Sequence, residues 1–278
     1  MATALPDVLA QVDDWAPDTV AVGVTDPDGP IATHGPVDQV LPIASLTKPL
    51  AAYAILVAIQ DGALHLDEPA GPGGRVRDIT VRHLLAHASG LPPDEGGPAS
   101  APEHRRIYSN QGYEVLAALI AERTDRPFSE HLDIEVLQPL GMTDTTLDGS
   151  PAHAARSTVT DLLAFARELL APTLTDADLH GLATTVAFPG LDGVLPGYGR
   201  QSPNDWGLGL EVRGTKEPHW TGQRFDASTF GHFGQSGSYL WVEPTRRIAS
   251  ASLADRDFGP WAVEAWPPFS DAILETLS

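Results

Sequence analysis

Ser45-Leu46-Thr47-Lys48 sets a hydroxyl and a primary amine three residues apart, at the head of the apolar run Pro49–Ile59. At that spacing both side chains share one face of a helix. The run is apolar almost all round, so it predicts a buried helix ending near Asp61-Gly62. A lysine at the mouth of a buried helix is costly unless it is solvated, paired or neutralised. Of the 17 basic residues only Lys48 and Lys216 are lysines, so plain positive charge is carried by arginine. Burial lowers the pKa of a lysine far enough for it to act as a base beside a hydroxyl. The helix start adds N–H groups and a positive dipole end that suit an oxyanion. On the tetrapeptide alone, an N-capping serine with a snorkelling lysine is an equal reading.

Two further stretches carry candidate chemistry. Tyr108-Ser109-Asn110 offers a phenol and a carboxamide at a loop–helix junction, able to relay a proton and to hold a carbonyl. Read alone, it is a helix cap with an aromatic anchor. Gly231-His232-Phe233-Gly234-Gln235-Ser236-Gly237 places a histidine among glycines, which in a strand mark close approach by a ligand or another segment. Alone, a strand histidine is more often structural. Two other patterns fail. Gly234-Gln235-Ser236-Gly237-Ser238 ends in Ser238 where G-x-S-x-G needs glycine. His83 and His87, four apart on an expected helix, have Leu84 where H-E-x-x-H needs glutamate. No metal is implied.

The elements that position these residues follow from periodicity. Residues 4–16 have helical spacing. Thr19–Thr25 and Ile31–Gly35 read as a hairpin about the turn Asp26–Pro30. From 66 to about 185 the pattern is short helices and loops: 80–87, a Pro/Gly/Glu-rich surface loop at 93–103, then 111–124, 127–138 and 158–170. Strand patterns return at Trp206–Val212, Thr229–Gly234, Ser238–Val242 and Arg247–Leu253, before a closing helix from about Phe269 to Leu277. Strands at both ends with helices between them predict an α+β fold, an α/β sandwich. One antiparallel sheet is built by 1–65 and 186–278, and an all-helical lobe by 66–185, as one structural unit.

Composition narrows the function classes. The 278 residues suffice for one large domain or two joined lobes. Cysteine is absent, which removes thiol nucleophiles and thiolate metal sites. A formal net charge of −20 argues against nucleic acid and anionic membranes as partners. Met1–Asp7 lacks the basic and apolar regions of a signal peptide, so the expected address is cytoplasmic.

In this order, the three stretches resemble the serine hydrolases sharing the penicillin-binding-protein and class C β-lactamase fold. Ser45–Lys48 matches their S-x-x-K, Tyr108–Asn110 their Y-x-N, and His232-Phe233-Gly234 the H-x-G variant of K-T-G. Leu84–Pro92, Ser157 through Leu162, and Trp206–Gly209 look like that family too. The resemblance implies that Ser45 is the acylated nucleophile and Lys48 its proton acceptor, with Tyr108 in the relay and in leaving-group protonation. It implies that Asn110 orients the substrate, that His232 takes the strand-lysine position, and that Ser45 and Gln235 N–H groups, beside Gly234, form the oxyanion hole. No cofactor is implied. Phe233 in place of a hydroxyl residue and His232 in place of lysine resemble the family VIII carboxylesterase branch, acting on a small ester or amide. A β-lactamase or D-Ala-D-Ala-type peptidase or amidase is the alternative. A non-catalytic ligand-binding relative is another, against which the intact Ser45, Lys48 and Tyr108 stand. The chain is short for that family, which implies a trimmed helical lobe over the cleft.

Overall fold

A computed structural model describes residues 4–70 and 78–277, so Met1–Thr3 of the N-terminal stretch lie outside it. The short α1 (Leu5–Leu9) runs into a 3-10 turn over Ala10–Asp14, and the two bury Leu5, Val8, Leu9 and Val12. β1 (Val20–Asp26) and β2 (Gly29–His34) form the expected hairpin. β3 (Leu41–Pro42) leads into a 3-10 turn at Ala44–Leu46 and then α2 (Thr47–Gln60), buried from Thr47 to Ala58. α3 (Val81–Leu85), α4 (Asn110–Thr124) and α5 (Phe128–Leu132) follow, and a π-helical turn at Asp133–Leu137 joins α5 to α6 (Gln138–Leu140). β4 (Thr146–Leu147) and β5 (Ala155–Ser157) pair with each other, β5 also pairing with β3. After α7 (Val159–Leu170) and α8 (Ala177–Thr184) comes a small hairpin, β6 (Gly193–Leu195) and β7 (Gly199–Gln201). β8 (Glu211–Val212), β9 (Phe230–Gly234), β10 (Ser238–Glu243), β11 (Ile248–Ala254) and α9 (Pro260–Thr276) complete the chain.

Both chain ends build one antiparallel sheet, ordered β2-β1-β11-β10-β9-β8, as the strand patterns predict. Successive residues in a strand face opposite sides, so each strand feeds two cores. Val20, Val22, Val24, Tyr239 and Trp241 pack with α1 and α9, whereas Ala21, Leu240, Val242, Ala251 and Leu253 pack toward α7 and α2. α7 falls in the segment expected to form the helical lobe, yet it lies on the sheet. Gly23 makes room for it: a Cβ there would stand 2.5 Å from Leu163 Cδ1. Among the described residues no helix is long and apolar enough to cross a membrane.

Three local expectations change. The strand over Trp206–Val212 is confined to Glu211–Val212, because Gly207 N–H donates to Leu210 O and closes a turn instead. Gly209 has φ +89°, and a Cβ there would lie 2.1 Å from the Ala52 Cβ, so this turn lies hard against α2. α9 starts nine residues before the expected Phe269, with Pro267 and Pro268 inside it. Proline normally ends a helix; here buried Trp266 and Phe269 pin both sides of the pair against the sheet. α3 stops at Leu85 and His87 has φ +54°, so His83 and His87 share no helix.

At the β8 edge the chain's second lysine is consumed structurally. Lys216 Nζ and His219 Nε2 each lie 2.9 Å from Glu211 Oε1, and Trp220 Nε1 donates to Glu211 Oε2. Against the upward push of burial, Lys216 and His219 hold the Glu211 carboxyl well below the usual range. Removing one partner of such a pair strands a buried charge. Lys216→Met is therefore expected to lower unfolding free energy by about 3 kcal/mol, read from urea melts. A loss below about 1 kcal/mol would show that solvent reaches Glu211 and that the pair is not sealed.

Candidate active site

Ser45 sits half-buried on the 3-10 turn, and that turn is held from three directions. Ile43 N–H donates to Ala155 O on β5 at 3.1 Å, Ser238 Oγ of β10 donates to Ile43 O at 3.1 Å, and Thr47 Oγ1 donates to Ala44 O at 2.7 Å. Gly234 presses on the same carbonyl, where a Cβ would come within 2.3 Å of Ile43 O. Ala44, directly before Ser45, has φ +43°. A non-glycine residue holds that conformation only where surrounding contacts over-determine it. The N-cap of α2 is Leu46 and makes no side-chain cap bond, so Ser45 is not a capping serine.

Lys48 is fully buried in the first turn of α2. Its Nζ donates to Asn110 Oδ1 at 2.7 Å and Ala152 O at 2.9 Å, and lies 4.5 Å from the Tyr108 ring centre. Both bonded partners are neutral oxygens. Burial lowers its pKa to about 7, with Glu114 and Asp94 pulling weakly the other way. At neutral pH a large share of Lys48 is thus free amine, a base.

Tyr108 and Asn110 arrive together because Ser109 between them caps α4. Ser109 Oγ accepts from Gly112 N–H at 3.1 Å and donates to Pro92 O at 2.6 Å. The cap and the chemistry are therefore both present in one tripeptide. Tyr108 packs against His87, with ring centres 4.6 Å apart, and Trp206, at 5.8 Å. Burial raises the phenol pKa, and a contact with Ser45 offsets part of that rise.

His232 closes the group from β9. It pairs with Leu240 and Phe233 with Tyr239, so the two residues face opposite sides of the sheet. His232 Nδ1 lies 2.6 Å from Phe233 O, an acceptor only, so Nδ1 carries the hydrogen. Nε2 is left as an acceptor, 3.3 Å from the Tyr108 hydroxyl. Burial, and then the Lys48 charge, lower the His232 pKa to about 4, so the ring is neutral at pH 7. Phe233 is 8% exposed and packs among Trp220, Phe258 and Trp266.

A cavity of about 140 Å3 opens on Ser45, Tyr108, His232 and Gln235. Gln235 N–H, just past β9, donates to no protein acceptor among the described residues. The structure thus gathers Ser45, Lys48, Tyr108, Asn110, His232 and Gln235 around one point, with Gly234 behind Ser45. Sequence reasoning did not place Leu195, Pro196 and Glu211 in that cavity, since no motif marks a wall residue. Nor did it show that Asp94 accepts from Asn110 Nδ2 at 3.2 Å. His87, which fails the H-E-x-x-H pattern, has a packing and loop role. It packs on Tyr108, and its Nδ1 also accepts from Ser109 N–H at 3.1 Å.

Comparison with known proteins agrees with this geometry. The family profile described as Beta-lactamase matches residues 13–274. The chain is 48% identical to a beta-lactamase of Mycobacterium bovis of known crystal structure, covering 97% of this chain and 99% of that one with a TM-score of 0.94. It is 29% identical over 157 residues to the D-alanyl-D-alanine-carboxypeptidase/endopeptidase AmpH of Escherichia coli K12. That match spans 45% of this chain and only 41% of AmpH. EstCE1, a hydrolase with promiscuous acyltransferase activity, shares the fold at a TM-score of 0.79 and 16% identity, with 97% of both chains covered.

The buried lysine has a consequence for stability. Its ordinary pKa is 10.5 and its folded value about 7, so between those pH values the unfolded chain binds more protons. Stability from this group is therefore lowest below pH 7 and rises with pH across the window, by at most about 1.4 kcal/mol per unit. Lys48→Met should flatten that rise and stabilise the protein at pH 7. Urea melts of both proteins at pH 7, 8 and 9 check it; parallel pH slopes would mean that Lys48 keeps its proton.

Proposed function

Because this chain belongs to the beta-lactamase family, we propose that it is a serine hydrolase forming an acyl-enzyme on Ser45, acting best on small carboxylic esters. The observation that carries this reading is a fully buried lysine bonded to two neutral oxygens and no carboxylate, three residues from a half-buried serine. That environment lowers the Lys48 pKa to about 7. Ser45 Oγ attacks the ester carbonyl, and its proton passes to the Lys48 amine with Tyr108 in contact. His232 Nε2 is the other acceptor within the relay, but burial and the Lys48 charge hold its pKa at about 4, below the Lys48 value of about 7, so Lys48 is the stronger base. His232 instead fixes the Tyr108 hydroxyl. The N–H groups of Ser45 and Gln235 take the developing oxyanion. As the C–O bond breaks, Tyr108 protonates the leaving oxygen and is resupplied from the Lys48 ammonium. Asn110 holds Lys48 through Oδ1, while its Nδ2 donates to Asp94 Oδ1.

The preference for esters rests on the β9 side of the site. A β-lactam carboxylate needs a cation or a hydroxyl; here Phe233 has no hydroxyl and His232 is neutral. Losing two charge-assisted contacts costs about 1–3 kcal/mol each, or roughly one to four orders of magnitude in kcat/KM. An uncharged ester loses nothing. Phe233 also belongs to the core behind β9, so Phe233→Thr would open a cavity there at a cost of several kcal/mol. The ester preference is thus built into the core rather than set by one exchangeable contact.

Short p-nitrophenyl esters should be hydrolysed with kcat/KM at least about tenfold above nitrocefin on the unmodified protein. Nitrocefin turnover equal to or above the esters would falsify the esterase assignment. Ser45→Ala should abolish turnover and the acyl adduct seen by intact mass while leaving the melt unchanged, which separates an enzyme from a non-catalytic binder. Lys48→Arg should be nearly as inactive as Lys48→Ala, since guanidinium does not give up its proton. The pH profile of kcat/KM should climb below about 7 and level above it; a flat profile from pH 5 to 8 would remove Lys48 as base.

A further inference from the structure

A second, larger cavity of about 450 Å3 adjoins the catalytic one, and the two share Tyr108 and Pro196. Its charge is opposite to that of the protein. Arg105, Arg106 and Arg200 line it against one carboxylate, Asp192, in a chain of formal net charge −20. Arg200 pairs with Asp192 at 2.5 Å. Arg105 is exposed and makes no ion pair among the described residues. Arg106 is 3% exposed, and its guanidinium bonds only to the carbonyls of Ala86, Ala187, Phe188 and Asn204. Burial lowers the Arg106 pKa to about 10 and the charge of Asp205 opposes that fall, so Arg106 is still cationic at neutral pH with part of its field offset by Asp205. Among the described residues, the exposed Arg105 is the cation that faces the cavity without a carboxylate partner.

The position of Tyr108 fixes which part of a substrate enters. On the acyl-enzyme reading the carbonyl is held in the smaller cavity, which Ser45 and Gln235 line. Tyr108 protonates the departing oxygen, so the leaving group points across Tyr108 into the larger cavity. We infer that this cavity is a leaving-group subsite selecting an anionic alcohol portion, one bearing a carboxylate or phosphate a few bonds from the ester oxygen. The inference rests on the acyl-enzyme reading and adds a substrate class to it: a small uncharged acyl group esterified to an anionic alcohol. It is distinct from the β9 side, where the structure offers no cation to an anion next to the scissile bond. The wide electrostatic repulsion of a −20 protein makes such a local reversal decisive for an anionic substrate.

The test compares para-acetoxybenzoate with its methyl ester on the wild-type enzyme, each rate divided by its hydroxide-catalysed rate. Monophenyl succinate and its methyl ester place the same charge on the acyl side. The anionic leaving group should be favoured about tenfold, the preference should shrink as salt is added, and the succinate pair should show none. Arg105→Gln combined with Arg200→Gln, both on the exposed rim, should bring the ratio close to one. A ratio at or below one in the wild type, a ratio unchanged by the double substitution, or an equal preference in the succinate pair overturns the inference. Binding decides it independently of turnover. Ser45→Ala protein should bind para-hydroxybenzoate by calorimetry, and the double substitution should weaken that binding several-fold; no binding at millimolar concentration also overturns it. Failure of p-nitrophenyl acetate hydrolysis overturns the proposed function instead, and the binding measurement still decides the subsite.

Discussion

The active site depends on an ammonium group taken out of water with no carboxylate in contact. Lys48 is surrounded by two neutral oxygens and two aromatic rings, those of Tyr108 and Tyr113. Those partners stabilise either protonation state enough to fold, but not the charge enough to keep it. Glu114 and Asp94 act from beyond bonding distance and only moderate the effect of burial. A carboxylate within hydrogen-bond reach would restore the ordinary lysine pKa and remove the base. On the proposed mechanism the neutral surroundings of α2's first turn are therefore a requirement, and its near-complete burial is how the chain meets it.

Lys216 shows the opposite outcome in the same molecule. It is equally buried, but Glu211 meets it directly, and His219 and Trp220 complete the carboxylate's bonds. That contact ties the 213–220 segment to the sheet edge. Arg106 is a third case, a buried cation satisfied by four carbonyls. Guanidinium tolerates this because its proton is held far more tightly than that of an ammonium. Three buried cations thus have three fates, decided by the acceptor each one meets and by its intrinsic basicity.

The sequence was legible where one local interaction decides the structure. Alternating Val20, Val22 and Val24, the apolar run Pro49–Ile59 of α2, and the Tyr108-Ser109-Asn110 junction all follow from periodicity or capping, and the last two carry or adjoin the proposed catalytic group. It was less legible where distant packing overrides a local rule. Trp206–Val212 has strand composition, but Gly207 and Gly209 serve a turn pressed against Ala52. Pro267 and Pro268 look like a boundary, yet the core around Trp266 and Phe269 keeps α9 intact. The cavity walls were not legible at all. Leu195, Glu211 and Arg105 reach the site through tertiary folding, and nothing in their neighbours' types records it.

The turn at residues 43–45 joins these elements. Ala44 holds a left-handed conformation that costs on the order of 1–3 kcal/mol and would relax if its restraints were released. The restraints come from β5 through Ala155, from β10 through Ser238, and from α2 through Thr47. Thr47 Oγ1 also accepts from Ala155 N–H at 3.0 Å, locking the first and third of these together. Gly234 lets β9 close on the same carbonyl. Ser45 is thus presented by segments some 190 residues apart in sequence, Ile43 and Ser238 being separated by 195 positions. The position of Ser45, the proposed nucleophile, is set by contacts from the sheet and the helices together. On the proposed mechanism little further reorganisation is then needed during attack, because the strain at Ala44 is held in advance by the surrounding contacts.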